Sequence, residues 1–248
     1  MMKSFVALMV LGFSCEVVFG GLVSDDFNRP NGSVGNGWTT FAAGANVFNQ
    51  ELRTYGSNRW AGGVARPFQL DPGQEYSFSF DFHTDSPLDG GWCIRLNSTL
   101  PEFDLPSGPG SNLARIWQGN GFGYVGGDGM VRYGNGTSWG VGILPEHARP
   151  ITTTAHISGV LSPDLSATIT IDYGDGGSID QVSFPSPGID PASVLQGQWL
   201  VLGNSNATYG PHYFDNFVVT PEPSTLLLLA VGGLVAAKRR RTSIVAAL

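Results

Sequence analysis

Tyr76, Phe78, Phe80 and Phe82 alternate with Ser77, Ser79, Asp81 and His83. A helix would scatter these four rings around its circumference. Only an extended strand, whose side chains point alternately to its two faces, collects them on one side. The aromatic face must then be covered by a second layer while the polar face meets water. The same rule governs the stretch after residue 166, where Ala167, Ile169 and Ile171 alternate with Thr168, Thr170 and Asp172. The turn Gly174-Asp175-Gly176-Gly177 and a second run at 179–184 follow, which predicts a hairpin.

Further strands are expected at 92–96, 113–117, 121–125, 130–133, 198–202 and 213–219, with a short one near Asp25. Gly-rich turns separate several of them. Pro185, Pro187 and Pro191 mark a loop. No apolar stripe of period 3.6 precedes the tail, and no linker interrupts 21–220, so one all-β domain is expected there. Two sheets closed face to face would manage the strand edges. Composition agrees: 35 Gly and only 13% charged residues suit a turn-rich β domain. With 42% hydrophobic residues and six Trp, the chain has the means to build a core.

The formal net charge is −7, but it is unevenly spread. Residues 21–220 contain eight Arg, no Lys and 18 Asp or Glu, a net charge of −10. No basic surface remains for nucleic acid, which excludes that class of partner. Residues 1–20 have the form of a secretory signal: Lys3 supplies the positive start, 5–13 the apolar run, and Val18 and Gly20 the small residues for cleavage. A lipoprotein reading of Cys15 fits poorly, because Phe13 lies close to the thiol and the usual Leu three residues before it is missing. With Cys15 leaving in the signal, Cys93 has no partner, and no intrachain disulfide is expected.

The C-terminal segment has three parts. Pro221-Glu222-Pro223-Ser224-Thr225 comes first, then an uncharged apolar run to Ala237, then Lys238, Arg239, Arg240 and Arg241. At 1.5 Å per residue, a helix over 224–237 spans roughly 21 Å, short of the ~30 Å hydrocarbon core; Lys238 can snorkel to extend its reach. A buried core helix would carry interspersed polar residues, and this run does not. The four cations hold their end in the cytoplasm, as does Lys3 at the other terminus, so the residues between are expected outside. The spelling of the motif, its Leu run and its basic end resemble the bacterial PEP-CTERM sorting tail, which some ice-binding proteins also carry. That resemblance implies an exosortase-type membrane protease as partner, and a membrane-anchored precursor destined for the cell surface or extracellular matrix. Thr242 to Leu248 continue past the basic cluster, where tails of this kind usually end. The expected division is a signal peptide at 1–20, a body at 21–220 and a sorting tail at 221–248.

Two phrases bracket the body. Asp25-Asp26-Phe27-Asn28-Arg29-Pro30 opens it, ahead of a Gly/Asn turn and Trp38; Asp215-Asn216-Phe217-Val218-Val219 closes it. Together they resemble the ends of laminin-G-like and concanavalin-A-like jelly-roll domains, which implies a two-sheet jelly-roll sandwich.

Catalytic spellings lack their context. Gly136-Thr137-Ser138-Trp139-Gly140 has the G-x-S-x-G form, but Gly142 and Pro145 follow where a helix must stand. Nothing in the sequence places His147, His156 or His212 beside Ser138. Gly121-Phe122-Gly123-Tyr124-Val125-Gly126 matches G-x-G-x-x-G without a βαβ unit around it. Glu102-Phe103-Asp104 resembles the start of the laminarinase-type glycosidase motif, yet no second Glu follows, and Pro101 and Pro106 flank it. Without that acid, retaining hydrolysis has no proton donor. Asp172, Asp175 and Asp180 surround the hairpin turn. Calcium needs six to eight oxygen ligands, so structural calcium is unsupported and no metal or other cofactor is expected. Asn31, Asn97, Asn135 and Asn206 stand in glycosylation sequons that a Ser/Thr-rich chain contains by chance.

Trp60 and Trp139 lie in Gly-flanked loops and are the candidate glycan contacts, each presenting an apolar ring among polar neighbours. Trp38, Trp92 and Trp199 are expected to cap the core. The expected function is that of an exported, non-catalytic glycan-binding module. A structural protein of the extracellular matrix is the alternative, and a glycoside hydrolase is the least supported class.

Overall fold

The computed structural model describes residues 23–41, 44–55, 62–68, 71, 73–85, 91–97, 112–119, 129–134, 141–186, 198–204 and 211–222. Every regular element among them is a strand: β1 (Val23–Asp25), β2 (Thr39–Phe41), β3 (Ala45–Phe48), β4 (Glu51–Thr54), β5 (Gly63–Phe68), β6 (Tyr76–Thr84), β7 (Gly91–Asn97), β8 (Asn112–Gly119), β9 (Val131–Gly134), β10 (Val141–Ile143), β11 (Ala155–Leu161), β12 (Ala167–Asp172), β13 (Asp180–Phe184), β14 (Gln198–Asn204) and β15 (His212–Pro221). The expected signal helix and transmembrane helix lie outside the described residues. Among those residues, no helix is long and apolar enough to cross a membrane.

The strands form two antiparallel sheets. One has the order β13-β12-β11-β6-β15-β4-β3, with β1 also on β15; the other has the order β10-β9-β8-β7-β14-β5-β2. The all-β sandwich expected from the alternation is present. The rings of Tyr76, Phe78, Phe80 and Phe82 are all buried, and the residues between them are half-buried on the other face. From the opposite sheet Trp92 meets Phe80 edge-on at 5.4 Å, and Phe80 also meets Phe214 at 5.8 Å. Each such ring contributes about 1.5–3 kcal/mol through burial, which makes this contact line the centre of the sandwich.

The strands expected at 198–202 and 213–219 are consecutive in the chain. They belong to different sheets: β14 runs between β7 and β5, whereas β15 runs beside β6. β11 was not anticipated, because Gly159 interrupts its apolar alternation. The register explains the glycine. It stands opposite Phe78, and a Cβ there would lie 2.5 Å from the Phe78 ring and 2.8 Å from the Thr168 carbonyl oxygen. Phe78 thus fills the space that a side chain at 159 would need. Gly159→Ala is expected to destabilise the protein by about 1–3 kcal/mol through overpacking. An unchanged thermal melt would show that the pair relaxes instead.

The two bracketing phrases are neighbours. β1 pairs with β15 in the register Val23↔Val219, Ser24↔Val218 and Asp25↔Phe217. The spacing of the first phrase follows from one buried carboxylate. Asp25 accepts hydrogen bonds from the Phe27 N–H at 2.8 Å, Arg29 Nη2 at 2.7 Å, Asn36 Nδ2 at 3.0 Å and Trp38 Nε1 at 2.9 Å. Trp38 then packs edge-on against Phe217 of β15 at 5.8 Å. This phrase is a structural knot, with its polar groups directed at one another.

Candidate functional site

Two surfaces of the eight-stranded sheet concern function. The first is the end of β15, where the sorting motif begins. Strand pairing runs one residue past Thr220: Pro221 stands opposite Tyr76, and the Glu222 N–H donates to the Glu75 carbonyl at 2.8 Å. The Gln74 side-chain amide donates to the Glu75 carbonyl at 3.0 Å and to the Glu222 carbonyl. Asp71 and Glu75 are themselves held, because the Asp71 N–H donates to the Tyr76 hydroxyl at 2.7 Å and Ser162 Oγ to Glu75 Oε2 at 3.3 Å. Burial pushes the Tyr76 phenol up, so it stays protonated near neutral pH. Pro221 and Glu222 are therefore extended and docked on the body. Pro223, Ser224 and Thr225 lie outside the described residues, as do Lys238, Arg239, Arg240 and Arg241.

The second surface is the outer face of the same sheet. Register places Gln181, Thr170, Ser158, Ser79 and Val218 in one transverse row across β13, β12, β11, β6 and β15. Five strands at about 4.8 Å spacing make this row about 19 Å long. With Ser77, Thr168 and Val160 of the next row it forms a shallow groove of about 270 Å³. The rim hydroxyls pair among themselves: Ser77 with Thr220 at 2.8 Å and Thr168 with Ser183 at 3.2 Å. Among the described residues, no charged side chain lines the groove. A charged row begins beyond it, where His156 Nδ1 lies 2.7 Å from Asp81 Oδ1 and Asn216 Nδ2 donates to Asp81 Oδ2 at 2.7 Å. Burial, together with the nearby Glu51 and Asp81 carboxylates, pushes the Asp215 carboxyl up.

At the far end of that face, His83 stacks on Tyr213 at 4.4 Å, and Arg53 lies over Phe48 at 4.0 Å. The sequence does not single out the groove residues, because Ser and Thr on the outer faces of β6, β11 and β12 are ordinary residues for a solvated strand.

The seven-stranded sheet has its own outer face. Phe41, Ala65 and Val201 form a small second cluster there, with Arg95 over the Phe41 ring at 5.4 Å. Trp199, expected to cap the main core, instead packs half-buried against this second cluster, while Trp38 and Trp92 do join the main core. Asn97, opposite Trp199, is 1% exposed, which removes it as a glycosylation site. Trp60 and Trp139, the candidate glycan contacts, lie outside the described residues. So do Ser138, Glu102, Asp104 and 121–126.

The three aspartates around the hairpin turn are engaged separately. Asp172 accepts the Gly174 N–H at 2.9 Å, Asp175 pairs with Arg149 at 2.6 Å, and Asp180 lies 2.9 Å from His147 Nδ1 and accepts the Tyr173 hydroxyl at 3.1 Å. Among the described residues no group of His, Cys, Asp and Glu is placed to hold a metal ion. His212 is buried and stacked on Phe82 at 5.9 Å.

Comparison with known proteins matches both halves of this description. The family described as the PEP-CTERM protein-sorting motif matches residues 219–241, a span that begins inside β15. The fold is similar to lectin II from Ulex europaeus, with a TM-score of 0.62 and 14% identity over 83% of this chain and 100% of that one. It is also similar to a lectin from Bauhinia forficata in complex with GalNAc (TM-score 0.57, 15% identity, 82% of this chain and 99% of that one). Arcelin-5, a lectin-like defense protein from Phaseolus vulgaris, gives a TM-score of 0.57 at 8% identity, over 82% of this chain and 98% of that one. No curated protein matches by sequence. The motif implies exosortase processing and anchoring of the precursor in a membrane. The chain is an exported protein that carries a PEP-CTERM sorting motif behind a concanavalin-A-like jelly-roll body.

Proposed function

We propose that this chain is a non-catalytic glycan-binding protein of the cell surface or exopolysaccharide matrix, and that its ligand lies across the hydroxyl groove of the eight-stranded sheet. One observation carries this reading. The row Gln181–Thr170–Ser158–Ser79–Val218 offers amide and hydroxyl groups with an apolar end, and contains no charge. Hydroxyls both donate and accept, which suits the hydroxyls of a sugar chain, and Val160 and Val218 provide apolar surface for its ring faces. An uncharged groove favours a neutral glycan over a polyanion, all the more on a body of net charge −10. The likeness to lectins supports a carbohydrate ligand at the level of the fold alone.

Ser158 is central in the row and its side chain faces outward, so Ser158→Tyr fills the groove without touching the core. Binding to neutral polysaccharides on a glycan array should fall by about tenfold or more, and melting should shift by less than about 0.5 kcal/mol. A wild-type protein that binds no glycan and instead assembles with its neighbours would favour the structural matrix role. Loss of binding in Trp60→Ala, with Ser158→Tyr unaffected, would move the site to the loops.

A further inference from the structure

In Pro221-Glu222-Pro223 the two prolines have no N–H, so the tripeptide has a single backbone donor, at Glu222. That donor is already in use, bonded to the Glu75 carbonyl at 2.8 Å. The carbonyl of Glu222 is in use as well, since it accepts from the Gln74 amide. A protease that binds an extended peptide does so largely through these backbone groups. While the motif is docked on the body, the one N–H of its central residue is unavailable to such an enzyme, and the carbonyl is already held from one side.

We infer that Gln74 is a positioning residue for processing: it holds the sorting motif against the end of β6, and an exosortase-type enzyme acts on the undocked form. This inference rests on the sorting reading of the tail. The latch is small and local. Undocking breaks the Glu222–Glu75 and Gln74–Glu222 bonds and the edge pairing of Pro221, while the Ser77–Thr220 contact one pair further in can remain. It is also prearranged, because the Tyr76 hydroxyl and Ser162 fix the segment that carries Gln74 whether or not the motif is docked. A folded body therefore meters access to its own sorting signal.

The test uses the full chain in a host carrying an exosortase. Gln74→Ala removes the side-chain tie and leaves the backbone bond to Glu75. With an ordinary net hydrogen-bond contribution lost, the undocked population should rise about two- to tenfold. Pulse-chase conversion of precursor to mature protein should accelerate by that factor. Amide hydrogen exchange at Glu222 should accelerate equally, while exchange at Phe80 in the core stays unchanged. Gln74→Glu, which replaces the donor with an acceptor, should behave like Gln74→Ala. Maturation of Gln74→Ala at or below the wild-type rate despite faster exchange at Glu222 would overturn the inference. So would a Glu222 amide that exchanges like a free peptide in the wild type. If the wild type itself never matures while its Glu222 amide is protected, the sorting reading fails and the latch has no enzyme to gate.

Discussion

Asp25→Ala is expected to destabilise the protein by about 3 kcal/mol and to lower its melting temperature by about 6–12 °C. The substitution removes one carboxylate and orphans several donors at once. The Asp25 side chain is 1% exposed and receives Arg29 Nη2, which sits on a side chain only 24% exposed. Trp38 Nε1 and Asn36 Nδ2 lose the same acceptor. Arg29 retains some access to water, which keeps the loss at the lower end of the range for breaking a buried pair. Trp38 would be left with an unsatisfied indole N–H beside Phe217, so β1 and β15 should loosen together.

The pH dependence follows from the same contacts. Burial alone would raise the Asp25 carboxyl, but hydrogen bonds from Arg29, Asn36 and the Phe27 N–H outweigh it and hold the group below the usual carboxylate range. Its contribution is therefore full above about pH 4 and is lost as the pH falls through that range toward the lower folded value. Thermal melts of wild type and Asp25→Ala should differ most at pH 7 and converge once the pH has fallen below the usual carboxylate range. A difference that persists unchanged at low pH would rule out the carboxylate as its source.

Glu222→Ala is expected to stop or strongly slow maturation while leaving melting unchanged within about 0.5 kcal/mol. The two effects separate because, among the described residues, the body holds Glu222 by its backbone. The N–H bonds Glu75 and the carbonyl accepts from Gln74, and alanine preserves both groups. The carboxylate, the one charged group of the Pro221–Thr225 motif, is what the substitution removes. A blot comparing precursor and mature lengths in an exosortase-bearing host reads the outcome. Maturation at the wild-type rate would reduce the tail to an anchor and leave the sorting reading without its mechanism.

Much of the architecture was legible because it is local. The rings at 76, 78, 80 and 82 could share a face only in a strand, and the hairpin at 167–184 carries its own turn chemistry in Gly174, Asp175 and Gly176. The tail was readable for the same reason, since a prolyl motif, an apolar run and a basic cluster act through composition and order. Even the opening phrase from Asp25 to Trp38 was visible as a unit, although its meaning was not. Its residues serve one buried carboxylate.

Tertiary structure decided what depends on distant pairing. Gly159 interrupts an apolar alternation, and only the pairing of β11 with β6 shows that Phe78 occupies the place of its side chain. Ser79, Ser158 and Thr170 were ordinary outward-facing residues of three separate strands; the register of β6, β11 and β12 made them one groove. Gln74 and Glu222 are 148 residues apart, and only the pairing of β15 with β6 brings the sorting motif onto the body. A side-chain period of two tells each strand which face it shows. Which strands lie side by side, and at what register, is set by the packing of the whole sandwich, because a slip of one residue would turn every buried ring toward water.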